Sequence, residues 1–196
     1  PDSIERSGYR HTLPLVSRRL YLVVQIRPRR LTPMADEPDP QHSPIFGNAE
    51  YEAAIDAILQ KASSRIRIFD HTLGMEYNSS RRLDLLRPFL LASRRNSLQI
   101  VLHDTRTMDR NCPRILNLLR TYGHSISIHE THPTAKSVYD PFVIVDDLCF
   151  VHRFHFDEMR GLLALDDPIG THTFIERFAE IWEASSPAVS ATTLGL

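Results

Sequence analysis

Lysine is almost missing from this chain: Lys61 and Lys136 stand against 21 arginines in 196 residues. That imbalance suits a compositional habit of the source better than a phosphate-binding design, so the number of arginines assigns no anionic ligand by itself. Cysteine is equally scarce. Cys112 and Cys149 have neither metal-like nor redox-like spacing, which fits a reducing, cytoplasmic setting and two buried thiols. No apolar run approaches the ~20 residues of a membrane helix, and the longest clusters, Leu20 to Ile26 and Phe142 to Val145, stop far short. A soluble protein without a membrane partner is expected. Internal repeats and low-complexity tracts are also missing.

What is present is ordinary globular material, 42% hydrophobic and 24% charged, enough for one domain with a core. The net charge of -1 hides an asymmetry. Residues 1–33 hold seven arginines against Asp2 and Glu5, an excess of five positive charges, so the other 163 residues carry about six negative ones. A basic leader of this kind reads as a nucleic-acid arm or a targeting segment. The plainer reading starts from Met34, which opens "MADEPDPQHSP" as a natural start would and makes residues 1–33 an upstream extension or a non-native remnant. Residues 1–44 are therefore expected as a leader and Pro-rich linker, disordered or partly non-native, with the domain over 45–190 and a tail over 191–196.

Helical spacing of Tyr51, Ala54, Ile55, Ile58 and Leu59 predicts a helix over 49–62 with Asn48 as N-cap. "RIRIFD" alternates as a strand with one covered face, the first strand of the fold. A second helix, opened by Ser79 or Ser80, turns Leu83, Leu86, Phe89 and Leu90 inward, and Pro88 either kinks it or lies in its first turns. "SLQIVLHDT" is a strand, and "CPRILNLLRTYGH" a helix with Pro113 in its first turn and Gly123 as its C-terminal cap. "SISIHET" is a strand again. Phe142–Val145, the Asp146-Asp147 turn and Leu148–Phe154 form a hairpin, "RGLLALDD" a further strand, and an amphipathic helix with Phe174, Phe178, Ile181 and Trp182 closes the domain. Helices between strands argue for an α/β fold, a mixed and mostly parallel sheet with helices on both faces.

This order, with the hairpin and closing aromatic helix, resembles one half of the phospholipase D superfamily. The resemblance implies a motif of a histidine, a lysine two residues on and an aspartate five further, then a Gly-Ser-x-Asn step. In that family the histidine attacks phosphorus, lysine and asparagine hold phosphate oxygens, and two motifs meet across a pseudo-dyad or homodimer. Laid onto this chain, Phe142-Val143-Ile144-Val145-Asp146 matches the apolar strand and its aspartate. The reactive positions differ: Tyr139 stands at the histidine, Pro141 at the lysine, and Arg153, Phe154 and Phe156 at the glycine, serine and asparagine. A phosphoenzyme route needs a nucleophile with a lone pair at neutral pH and cations for the phosphoryl oxygens. Tyr139, a phenol of pKa ~10, and Pro141, with no charge or N–H, supply neither. The hairpin reads as disabled for that chemistry.

Other polar residues gather at the predicted strand ends: Asp70-His71, His103-Asp104, His129-Glu130 with His132, and Arg153 with His155. In open α/β sheets ligands bind outside the carboxyl ends of strands, so His71, His103 and His129 are candidates for one rim, with Asp70, Asp104 or Glu130 beside them for acid–base or metal chemistry. The plainer reading is structural, since no pair has a recognised metal spacing, and neither a metal nor a cofactor is expected. His132 and Lys136 read either as a displaced motif pair or, more plainly, as a solvated loop. Arg153 holds an anion in one reading and pairs with Asp146 or Asp147 in the plainer one. The arginine pairs Arg81-Arg82 and Arg94-Arg95, with Arg106, Arg110, Arg114 and Arg120, raise a nucleic-acid reading that lacks aromatic interleaving. The expectation is a non-catalytic binding or interaction module, a homodimer for a phosphate-bearing ligand; the alternatives are a degenerate phosphodiesterase using the strand-end histidines and a nucleic-acid-binding protein.

Overall fold

The computed structural model describes residues 38–189, so the expectations for residues 1–33 and for the tail 191–196 lie outside the described residues. Strand β1 (Gln41–Phe46) is followed by α1 (Asn48–Gln60), β2 (Arg65–Asp70), a 3-10 turn (Met75–Asn78) and α2 (Ser80–Ala92). Then come β3 (Ser97–Leu102), the short α3 (Met108–Asn111), α4 (Pro113–Thr121), β4 (Ile126–Thr131) and a 3-10 turn (Pro133–Ala135). The chain ends in β5 (Phe142–Val145), β6 (Cys149–His155), β7 (Glu158–Leu165), α5 (Pro168–Glu183) and β8 (Ser185–Val189).

The strands form one mixed sheet in the order β1-β7-β6-β5-β2-β3-β4-β8. An α/β fold with helices on both faces is what the sequence indicated. Its parallel part is confined to β2–β3–β4, because the β5–β6–β7 meander and the two unforeseen outer strands, β1 and β8, all join antiparallel. β1 straddles the end of the expected linker, whose Pro44 is compatible with an outer strand that has ladder partners on one side only. "RIRIFD" is thus the second strand, and it is buried on both faces. Its alternation misled because Arg67 does not face water: it is buried and pairs with Asp147 at 2.6 Å.

Two apolar layers sandwich the sheet. On one face Ile66, Ile68, Leu98, Ile100, Val143 and Val145 pack against Ile55 and Ile58 of α1, Leu86 of α2 and Ile115 of α4. On the other, Phe69, Val101, Phe142 and Ile144 lie under Phe178 and Ile181 of α5, with Phe174 and Trp182 alongside. The inward residues expected of α1 are all buried, but the helix starts one residue earlier, with Gly47 (φ 95°) at the N-cap and Asn48 inside. The Ser79 hydroxyl caps α2 by accepting from Arg82 N–H at 3.2 Å, and Pro88 lies within the helix. Gly123 does not cap α4: the helix ends at Thr121, with Tyr122 at the C-cap donating to Leu118 O at 2.7 Å. Both thiols are buried and free, and burial pushes that of Cys112 up to about 12. Among the described residues no helix is long and apolar enough to cross a membrane.

The β5–β6 turn is built from two successive left-handed residues, Asp146 (φ 52°) and Asp147 (φ 59°), a conformation in which aspartate is among the better tolerated residues. The Asp146 carboxylate accepts from Ser63 N–H, Ser64 N–H, Ser64 Oγ and Arg65 N–H at 2.5–2.8 Å, tying the hairpin to the α1–β2 turn.

Candidate functional site

Strand direction gathers the site. β2, β3 and β4 are parallel and finish at Asp70, Leu102 and Thr131, while β5 runs the other way and starts at that same end, just after Tyr139 and Pro141. β6 finishes there and β7 begins there. Asp70, His71, His103, Asp104, Tyr139, Pro141, Arg153 and His155 therefore share one end of the sheet, whereas Asp146 lies at the other, beyond the length of β5.

The rings at this end form a ladder. Tyr139 stacks on His155 at 5.8 Å between ring centres, His155 on Phe156 at 4.7 Å, and Phe156 on His71 at 4.8 Å with only 15° between planes. His103 closes the row edge-on, 5.7 Å from His71. A backbone bond from Phe156 N–H to Tyr139 O at 2.8 Å holds the β6–β7 turn against the segment before β5. The outer ring, Tyr139, is 51% exposed, and Phe46, Met75 and Phe154 lie exposed at the same end of the sheet. Phe156 was read from the sequence only as a motif departure, and nothing local marked it as the centre of the ladder.

Individual positions differ from the expectations. His103 is buried with both nitrogens engaged: Nε2 donates to Val138 O at 2.7 Å, which leaves Nδ1 to accept from the Thr131 hydroxyl at 2.7 Å. Burial pushes its pKa down, favouring this neutral form. His129 does not join the rim. It stacks on Trp182 at 3.8 Å under α5, bonds Ser185 Oγ through Nδ1 at 3.0 Å, and is likewise pushed down by burial. The strand carries it inward because it alternates with Ile128 and Glu130, and that parity points it to the α5 face.

Asp104 is clasped by the Arg106 guanidinium at 2.6–3.1 Å, which holds its carboxyl well below the usual range. His132 and Lys136 are exposed, Lys136 standing 3.9 Å from Glu130. Arg153 pairs with neither Asp146 nor Asp147. Those carboxylates are at the opposite end of the hairpin, held by the α1–β2 turn and by Arg67, whereas Arg153 donates to the carbonyls of Phe156 and Glu158 and its guanidinium carbon lies 5.6 Å from the Tyr51 ring centre. Its charge clamps the β6–β7 turn.

Asp70 is 7% exposed, and its Oδ1 accepts from His71 N–H at 2.7 Å. Burial pushes its carboxyl up to about 7, against the opposing pull of that hydrogen bond and of Arg153. Two groupings went unread in the sequence. Asp140 bridges His152 Nε2 at 3.1 Å and Arg177 Nη2 at 2.5 Å, pinning α5 to the start of β5. Arg82, 2% exposed, bonds Asp56 at 2.7 Å and lies 4.8 Å over the Tyr77 ring. Its spacing from Leu86, Phe89 and Leu90 places it on the inner stripe of α2, a signal that the neighbouring Arg81 obscured. Among the described residues no three His, Cys, Asp or Glu side chains are placed to hold a metal ion.

The family described as a domain of unknown function (DUF7931) matches residues 47–194. No curated protein sequence matches the chain. Among solved structures, the phospholipase D family member Nuc from Salmonella typhimurium superposes with a TM-score of 0.56 at 14% identity, covering 78% of this chain and 100% of its own. TrmBL2, an archaeal chromatin protein with a novel mode of DNA binding, gives a TM-score of 0.56 at 13% identity over 76% of this chain and 54% of its own. Phosphatidylserine synthase from Haemophilus influenzae gives 0.54 at 14% identity over 80% of this chain and 42% of its own. At these identities the likeness is one of fold.

Proposed function

The chain belongs to the DUF7931 family, a domain of unknown function, and from that premise we propose that it is a non-catalytic, phospholipase D-like module that binds a phosphate-bearing ligand at the ring-lined end of its sheet and works as a homodimer in a reducing compartment. The observation that carries this reading is the state of the groups where phosphorus would be attacked. A stacked phenol, Tyr139, and a proline, Pro141, stand where the resemblance would put the two reactive residues; the nearby His103 has both nitrogens committed, and His129 is under Trp182. None of these offers a charged donor pair and a free lone pair facing one point, as a phosphoenzyme step requires.

A second reading, binding of single-stranded nucleic acid, is favoured by the ladder Tyr139–His155–Phe156–His71, because an exposed end ring accepts a base on its free face. The DNA-binding chromatin protein among the structural neighbours makes this worth testing. The homodimer rests on the family resemblance and on the exposed Phe46, Met75, Tyr139 and Phe154 gathered at that end.

The deciding experiment incubates the protein with bis(p-nitrophenyl) phosphate and titrates it, in parallel, into a labelled single-stranded oligonucleotide. No turnover is expected, with salt-sensitive binding weakened about tenfold by Tyr139→Ala. Turnover that disappears in His71→Ala or His103→Ala overturns the non-catalytic reading. Light scattering after gel filtration tests the dimer, which Phe154→Glu should split.

A further inference from the structure

Arginine number assigns no ligand here, but arginine placement is uneven. Residues 79–121, which build α2, α3 and α4, hold nine arginines against Asp84, Asp104 and Asp109, while the described stretches on either side are acidic in balance. Three of the nine are matched, Arg81 and Arg82 by Asp56 and Arg106 by Asp104. The other six, Arg87, Arg94, Arg95, Arg110, Arg114 and Arg120, are exposed and have no carboxylate within ion-pairing reach among the described residues. Elsewhere in those residues Arg67, Arg160 and Arg177 are all paired, and only Arg65 and Arg153 are not.

The fold collects the six on one side. β2 and β3 both finish at the ring-lined end, so α2 and α4 both start there and run back in parallel over the face of the sheet opposite α5. An open groove of about 290 Å³ lies between them, lined by Arg87 and Arg114 together with Ser80, Asp84 and Asn117. Arg94 and Arg120 stand at the other ends of the two helices. Asp84, Asp109 and half-buried Glu76 of the neighbouring 3-10 turn oppose this field, and six cations against these three acids leave an excess of three positive charges.

We propose that the α2–α4 face binds the backbone of double-stranded nucleic acid, its phosphates received by Arg87 and Arg114 in the groove and by Arg94 and Arg120 beyond it. This goes beyond the ring-lined end, which the contact does not use. Composition selects the partner. A protein interface centres on apolar side chains and is depleted of charge, yet Leu91 is the one large hydrophobic side chain exposed along these helices. Single strands bind where rings stack on bases, and α2 and α4 expose no aromatic ring. A duplex backbone asks only for cations spaced along a surface. α2, with 13 residues, is about 20 Å long, the length of about six base pairs.

Fluorescence anisotropy with a labelled 20-base-pair duplex, at pH 8 and from 50 to 200 mM salt, tests the face. Residues 1–33 hold seven arginines of their own, so the readout is the difference between variants of the whole chain. Arg87→Gln/Arg114→Gln should weaken binding at least about tenfold at 50 mM salt and make the slope of log affinity against log salt about 1.8 shallower, for two lost phosphate contacts. Arg87→Lys/Arg114→Lys should keep both, because a phosphate contact asks for charge. Lys61→Gln/Arg160→Gln, which removes two exposed cations outside the face, should stay within about twofold of wild type. No duplex binding at 50 mM salt, an unchanged slope in Arg87→Gln/Arg114→Gln, or an equal loss in Lys61→Gln/Arg160→Gln overturns the proposal. So does binding of poly-glutamate in place of duplex, which assigns the face to an acidic protein. Tyr139→Ala should leave duplex affinity unchanged: loss of the single-stranded oligonucleotide alone in that variant supports two separate surfaces, and loss of the duplex with it overturns the α2–α4 face.

Discussion

Asp146 is the one aspartate that the motif comparison retains, and the structure gives it an architectural task that a single substitution can weigh. Its carboxylate receives four hydrogen bonds from Ser63, Ser64 and Arg65 at 2.5–2.8 Å, and its backbone is left-handed at φ 52°. A hydrogen bond to a charged group is worth about 1.5–3 kcal/mol when buried. This carboxylate is half-buried and water replaces part of each bond, so the set is worth about 2 kcal/mol. Alanine also resists the left-handed region by about 1 kcal/mol. Asp146→Ala should therefore cost about 3 kcal/mol and lower the melting temperature by roughly 6–12 °C, whereas Asp146→Asn, which keeps one acceptor and tolerates the turn, loses about a third of that.

Differential scanning calorimetry as a function of pH completes the test. Burial opposes ionisation of Asp146, but the hydrogen bonds from Arg65, Ser64 and Ser63 outweigh it and hold the pKa below its ordinary value. A depressed carboxylate stabilises above its unfolded pKa of ~3.9 and loses that contribution as pH falls through the folded value. The gap between wild type and Asp146→Asn should be full at pH 7 and shrink below about pH 4. Melting curves for Asp146→Ala that coincide with wild type at pH 7 would refute the reasoning, as would a gap that widens in acid.

Arg82→Met leaves Asp56, 6% exposed, with only the exposed Arg81 as partner, and chemical denaturation should show a loss of about 3 kcal/mol, much of it recovered in Arg82→Met/Asp56→Leu. His103 and His129 are bases held down by burial, so their stabilising contribution is complete above the unfolded value of ~6.5 and lost as pH falls below it. The melting temperature should drop between pH 7 and 5, less steeply in His129→Gln; an equal slope in that variant would rule out His129. Trp182→Ala removes the ring stacked on His129 at 3.8 Å and on Phe178 at 5.8 Å, and should cost about 3 kcal/mol in urea titrations without changing oligonucleotide affinity.

The elements most legible in the sequence were those whose apolar period matched one buried face. Tyr51, Ala54, Ile55, Ile58 and Leu59 on α1, and Leu83, Leu86, Phe89 and Leu90 on α2, are buried as their spacing implied. β1 and β8 were unreadable because "QHSPIF" and "SSPAV" have little apolar content and a proline each; pairing with β7 and β4, remote in sequence, makes them strands. The rim was half legible. Strand ends placed Asp70, His71 and His103 at one end of the sheet, where the structure has them, but parity along β4 sends His129 under α5, and the far end of the hairpin removes Arg153 from Asp146. Buried polar partners such as Arg82–Asp56 and Asp140–Arg177 join residues 26 and 37 positions apart, and no local pattern encodes such pairs.

Both outermost strands of the described sheet carry an imino acid, Pro44 in β1 and Pro187 in β8. A rim of unpaired amides would otherwise be a template on which further chains could add, end over end, into fibrils. A ring without an N–H interrupts that template on each flank, so growth in the hydrogen-bonding direction is discouraged at both sides of the molecule. Any self-association is thereby steered away from strand extension and toward contacts made by side chains.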